Sequence, residues 1–85
     1  MSATIILQHL GGSTFQTNQR ARDFSYPRNG LAFRLARPTS GINRVTILPG
    51  DHGFTMMFFQ GDAQIASVAG VRPERLRATF DEYIR

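Results

Sequence analysis

The side chains best equipped for chemistry are ten arginines, two histidines and six carboxylates, in a chain with no cysteine, lysine or tryptophan. Arginine presents a planar, permanently charged fork that grips carboxylates and phosphates through paired hydrogen bonds. Six arginines (Arg20, Arg22, Arg28, Arg34, Arg37 and Arg44) fall between residues 20 and 44 with only Asp23 against them, so that segment carries +5. The other four meet five acids and carry −1. Such asymmetry predicts one basic face rather than an evenly positive skin. A GC-rich coding bias explains the missing lysines but not the clustering. Arg20, Arg22, Arg34, Arg37 and Arg44, with Phe24 and Tyr26 nearby in sequence, form the candidate binding set. Guanidinium and aromatic groups together grip nucleic acids, and they also make protein hot spots. The plainer reading is a solvated basic surface with no partner.

Catalysis has less to stand on. His9 and His52 belong to different segments, and neither has metal-ligand spacing around it. Asp51-His52 resembles an acid–base pair, but neighbours in a Pro-Gly turn rarely face each other, and no nucleophile motif accompanies them. Gly11-Gly12 lacks the downstream lysine and the strand-then-helix context of a phosphate-cradling loop. The expectation is a protein that is not an enzyme, with no metal and no cofactor.

The elements that must position the arginines are partly readable. Ser2 to Leu10 ends in Gly11-Gly12. Its β-branched residues would suit a strand, but a glycine pair after the last apolar residue is a common helix stop, so a short helix with Ile6 and Leu10 on one face is expected. Residues 13–18 read as a first strand bearing Phe15, followed by a polar connection over residues 19–30 that ends in the turn signal Asn29-Gly30. Residues 31–37 alternate, with Leu31, Phe33 and Leu35 inward and Arg34 outward. Residues 38–41 turn, and residues 43–48 alternate again with Val45 and Ile47 inward and Arg44 outward. Pairing the two strands predicts Arg34 and Arg44 as diagonal neighbours on the exposed face.

Residues 49–53 form another turn. Residues 54–60 are then apolar on both faces around Met56 to Phe59, which calls for a cover on both sides. One cover is the core; the other is helices or another protein. Met57 and Phe59 are therefore candidate apolar anchors or a homodimer contact. Gln60-Gly61-Asp62 turns, and residues 63–69 are either a further strand or the lead-in to the last helix. That helix opens at Pro73 and repeats Leu76, Phe80 and Ile84 at four-residue spacing, with Tyr83 alongside. Arg72, Arg75 and Arg77 near its start oppose the helix dipole, and an Arg77–Asp81 pair is expected on its surface.

These elements define a single α+β domain over residues 1–85: a short N-terminal helix, an antiparallel meander of three to four strands, and a C-terminal helix packed on the sheet. Eighty-five residues leave room for one core and exclude a multidomain enzyme. The hydrophobic content, 41%, is too high for a disordered tail. No apolar run approaches the roughly 20 residues that cross a membrane. The Ile5-Ile6-Leu7 stretch lacks the basic flank and apolar length of a signal peptide, so a cytoplasmic location without membrane contact is expected.

Several stretches carry a resemblance. Residues 4–12 followed by Phe15, then residues 31–35, then residues 41–47 resemble a family of small phage and prophage proteins. In that family an "ILEQLGG..F" opening leads to "TGAKNF", "LSFRLP" and "GINKVKITL" segments and a closing helix, whose place residues 71–82 take here. The chain departs from the pattern at residues 17–24, which are longer and carry an extra arginine. The family has no assigned activity, so the resemblance implies origin rather than mechanism. In size and class the chain is also similar to anti-CRISPR proteins. The reading that follows is a phage-encoded inhibitor that binds a host protein complex, such as a CRISPR effector, through its arginine face. The alternatives are a phage nucleic-acid-binding accessory protein and a phage structural or assembly protein.

Overall fold

The computed structural model describes residues 2–19, 21–35 and 41–84. Helix α1 (Ser2–Leu10) is followed after Gly11 by α2 (Gly12–Gln19). The sheet then runs β1 (Ala21–Ser25), β2 (Leu31–Leu35), β3 (Arg44–Gly50), β4 (Gly53–Gln60) and β5 (Ala63–Val71). Helix α3 (Leu76–Ile84) closes the chain. The strands form one antiparallel meander in the order β1-β2-β3-β4-β5. The α+β architecture agrees with the sequence reading, with five strands where three to four were expected.

Two segments differ from the sequence reading. Residues 13–18 were expected to be a strand but form most of α2. Phe15 is the only large apolar residue there, and a single apolar residue cannot distinguish a period of 2 from one of 3.6. Gly12, at φ 63°, restarts the helix, and Phe15 meets Phe33 and Phe80 edge-on at centroid distances of 5.6 and 4.9 Å. The expected polar connection over residues 19–30 instead contains β1 and a 3-10 turn, Pro27–Asn29. Residues 63–71 resolve as strand rather than helix lead-in. The expected turn at residues 38–41 falls mostly outside the described residues. Pro73 opens a 3-10 turn, Pro73–Arg75, which runs into α3.

Strand alternation puts Leu31, Phe33, Leu35, Val45, Ile47, Met56 and Phe58 on one face of the sheet, all buried. They join Ile6, Leu10, Phe15, Leu76, Phe80 and Ile84 from the three helices in a single core. Phe58 and Tyr83 stack at 4.7 Å. The helices thus serve the inner face, and among the described residues no helix covers the outer one. Gly30, after the 3-10 turn, permits a close approach: a Cβ there would run into the Ile47 carbonyl oxygen.

Of the three arginines that run against the α3 dipole, Arg77 has a structural reason to be there. Its guanidinium donates to the Leu10 carbonyl at 2.9 Å, and Leu10 is the last residue of α1. The cation that is misplaced for α3 is therefore well placed for the C-terminus of α1. Arg77 also pairs with Asp81 at 3.1 Å, the expected surface pair. Both partners are more than a third exposed, so that pair contributes about 0.3–0.5 kcal/mol, whereas a charged hydrogen bond to an orphan carbonyl is worth about 1.5–3 kcal/mol. The carbonyl contact dominates. Arg77→Ala is expected to lower stability by about 1–2 kcal/mol and Asp81→Asn by less than about 0.5 kcal/mol in urea titrations. Equal losses for the two would remove the capping role.

Candidate functional site

The outer face of the sheet is built by register. In β1–β2 pairing Arg22 lies opposite Arg34, and in β2–β3 pairing Arg34 lies opposite Arg44. In β3–β4 pairing Arg44 lies opposite Phe59, which lies opposite Gln64 of β5. Directly opposite residues share a face, so Arg22, Arg34, Arg44, Phe59 and Gln64 form one row across all five strands. The neighbouring row, Ser25, Ala32, Thr46, Met57 and Ser67, is uncharged. Arg34 and Arg44 are therefore direct rather than diagonal neighbours. The difference arises because the length of the connection between them was not readable from its turn residues.

Three like charges in a row oppose folding. Directly opposite Cβ atoms are about 4.5–5.5 Å apart, and like charges there are destabilising. Two unit charges 7 Å apart in a water-like dielectric repel by about 0.6 kcal/mol. None of the three arginines makes an ion pair with a described carboxylate; the ion pair among the described residues is Arg77–Asp81. Arg44 is the most constrained of the three. Its guanidinium carbon lies 4.4 Å from the Phe59 ring centroid, and its Nε is shut off from solvent with no hydrogen-bond acceptor. The stacking is worth about 0.5–2 kcal/mol, of the same order as the roughly 1–3 kcal/mol an orphaned donor costs. Arg44 is thus held in place by the Phe59 ring while one of its donors goes unmet.

Of the sequence-derived candidates, the structure brings together Arg22, Arg34, Arg44, Met57 and Phe59. Arg20 and Arg37 lie outside the described residues. Phe24 is not with the arginines: a bulge in β1, where Asp23 has φ 56°, turns it to the helix side, 5.7 Å from Phe33. Tyr26 is two-thirds exposed, and it lines a separate cleft of about 140 Å³ with Thr4, Leu7, Gln16, Phe24 and Leu31. That volume is well below the roughly 300–1,000 Å³ of ligand pockets. Met57 and Phe59 are half-buried by their sheet neighbours, while Met56 and Phe58 fill the core. The second cover for β4 is therefore not a helix among the described residues.

The Arg44–Phe59 pairing was missed, although a signal for it existed. A two-residue loop, Asp51-His52, between Gly50 and Gly53 fixes the register that sets residue 44 opposite residue 59. Asp51 and His52 are both exposed at that hairpin tip. Among the described residues no three metal-ligating side chains come together, and no helix is long and apolar enough to cross a membrane.

The sheet edges are unsuited to strand addition. β1 carries the Asp23 bulge and Arg22, and β5 is irregular twice, around Ile65 and around Ala69-Gly70. Bulges and charges of this kind blunt an edge. The face, not the edge, is the candidate interface. No family model, curated protein or solved structure matches the chain.

Proposed function

We propose that the protein is a non-catalytic docking module that works through the outer face of its sheet, against an acidic surface of a macromolecular partner. The observation that carries this is the Arg22–Arg34–Arg44 row, with no described carboxylate paired to it. Like charges lined up at a cost to stability, with no described carboxylate to offset them, are what a binding surface looks like before its partner arrives. The face also has the anatomy of a protein interface, with a neutral row centred on Thr46 and Met57 beside a charged one. In the phage setting that the resemblance implies, the protein acts in the host cytoplasm as an inhibitor occupying a host defence complex, in the manner of anti-CRISPR proteins.

The test is a phage challenge of a host whose CRISPR effector restricts that phage. Expression of the wild type is expected to restore plaquing at least a hundredfold, and Arg34→Glu/Arg44→Glu, folded by circular dichroism, is expected not to. Equal rescue by both would remove the arginine face from the role, and absence of rescue by the wild type would remove this target. The guanidinium–aromatic pair of Arg44 and Phe59 favours nucleic acid as a second reading. It predicts binding to DNA or RNA that weakens with salt at a log–log slope of about one per phosphate contact. No binding at low salt would end it.

A further inference from the structure

Resting on the docking reading, we propose that the row from Arg22 to Phe59 seats one acidic, amphipathic helix of the partner, lying across strands β1–β4. Its carboxylates at i, i+4 and i+7 meet Arg22, Arg34 and Arg44, and an apolar residue at i+11 meets Phe59.

The argument is one of spacing. Adjacent strands stand about 4.8 Å apart, so Arg44 lies about 9.6 Å from Arg22 along the row and Phe59 about 14.4 Å. On a helix rising 1.5 Å per residue, i+7 lies about 10.5 Å from i and i+11 about 16.5 Å. The mismatch at the third arginine is therefore about 1 Å, well within the reach of an arginine side chain. An extended peptide presents same-side residues every second position, about 6.8 Å apart, and overshoots the third arginine by about 4 Å. Positions i, i+4, i+7 and i+11 also share one helical face.

The pattern of residues agrees. Charge along the row stops after three positions, and Phe59 and Gln64 follow. A polyanion wants cations along its whole track, whereas a short acidic stripe that turns apolar matches three arginines and then a phenylalanine. The uncharged row of Ala32, Thr46 and Met57 lies alongside, where the apolar flank of such a helix would rest. Arg44, stacked on Phe59, is already held at the position where acid gives way to apolar.

The experiment uses the full chain and a 20-residue alanine-rich peptide, stapled as a helix on its far face, with Glu at positions 4, 8 and 11 and Leu at 15. A control of the same composition carries Glu at positions 4, 6 and 9, off that face. A 20-nucleotide thymidine strand is the third probe, and fluorescence anisotropy reads all three. The aligned peptide is expected to bind at least tenfold tighter than the control. Arg34→Ala, an exposed position that leaves the core untouched, is expected to remove at least tenfold of that affinity. Equal binding of the two peptides, binding of neither, or binding of the thymidine strand alone would each overturn the helix. So would an unliganded dimer, seen by sedimentation, that Arg34→Ala dissolves, because it would make a second copy the occupant. If phage rescue still depends on Arg34 and Arg44 while the peptides bind equally, the docking reading stands and only the helical partner falls.

Discussion

Phe33→Ala is expected to leave the protein largely unfolded at room temperature. Phe33 is 1% exposed and meets three other rings: Phe15 at 5.6 Å, Phe24 at 5.7 Å and Phe80 at 6.3 Å. It ties α2, β1 and α3 to the middle of the sheet. Truncating a buried phenylalanine costs about 3–5 kcal/mol, and each lost ring pair adds about 0.5–1.5 kcal/mol. A domain of this length has a total stability of about 4–13 kcal/mol. The loss is thus comparable with everything the fold has. Phe59→Ala is the matched control. It removes the same atoms from the outer face, where the ring is half-buried, and it should cost less than half as much. Urea titration followed by far-ultraviolet circular dichroism reads both. A Phe33→Ala midpoint close to that of Phe59→Ala would mean that the aromatic cluster does not organise the core.

Position by position, what was readable in the sequence was whatever depends on an unbroken period. Leu76, Phe80 and Ile84 recur every four residues, and α3 stands where that pattern put it. Leu31, Phe33 and Leu35 alternate with Arg34, as Val45 and Ile47 alternate with Arg44, and β2 and β3 carry those residues on the expected faces. Legibility failed where backbone irregularity broke the period. The Asp23 bulge lets Ala21 and Phe24, three residues apart, both turn inward, so β1 shows no alternation and Phe24 was grouped with arginines from which it turns away. The irregularities around Ile65 and Gly70 did the same to β5, whose small residues already gave a weak signal. The site inherits this division. Arg34 and Arg44 were visible because they sit in two clean strands. Arg22 joins the same row only through a strand that local pattern did not reveal, and the placement of Phe59 beside Arg44 required counting register through a hairpin.

Arg34→Glu is expected to make the protein more stable and less able to dock. Arg34 is exposed and stands between Arg22 and Arg44, so the substitution turns two repulsive cross-strand neighbours into two attractive ones. A favourable cross-strand pair is worth about 0.2–1 kcal/mol, and screening at an exposed site keeps each near the lower end. The net gain is therefore about 0.5–1 kcal/mol, or a rise of about 2–8 °C in Tm for a domain of this size. The same substitution places a carboxylate at the centre of the row, where the docking reading puts the partner's acids. A tenfold to hundredfold loss of affinity, about 1.4–2.7 kcal/mol, is expected for the partner. Raising the salt concentration separates the two effects from trivial unfolding, because it should weaken the stability gain as it screens the new pairs. A surface shaped only by solubility would show no such opposition: stability would rise and every function of the protein would survive. A variant that is more stable and inactive marks the repulsion among Arg22, Arg34 and Arg44 as something retained for binding at the expense of the fold.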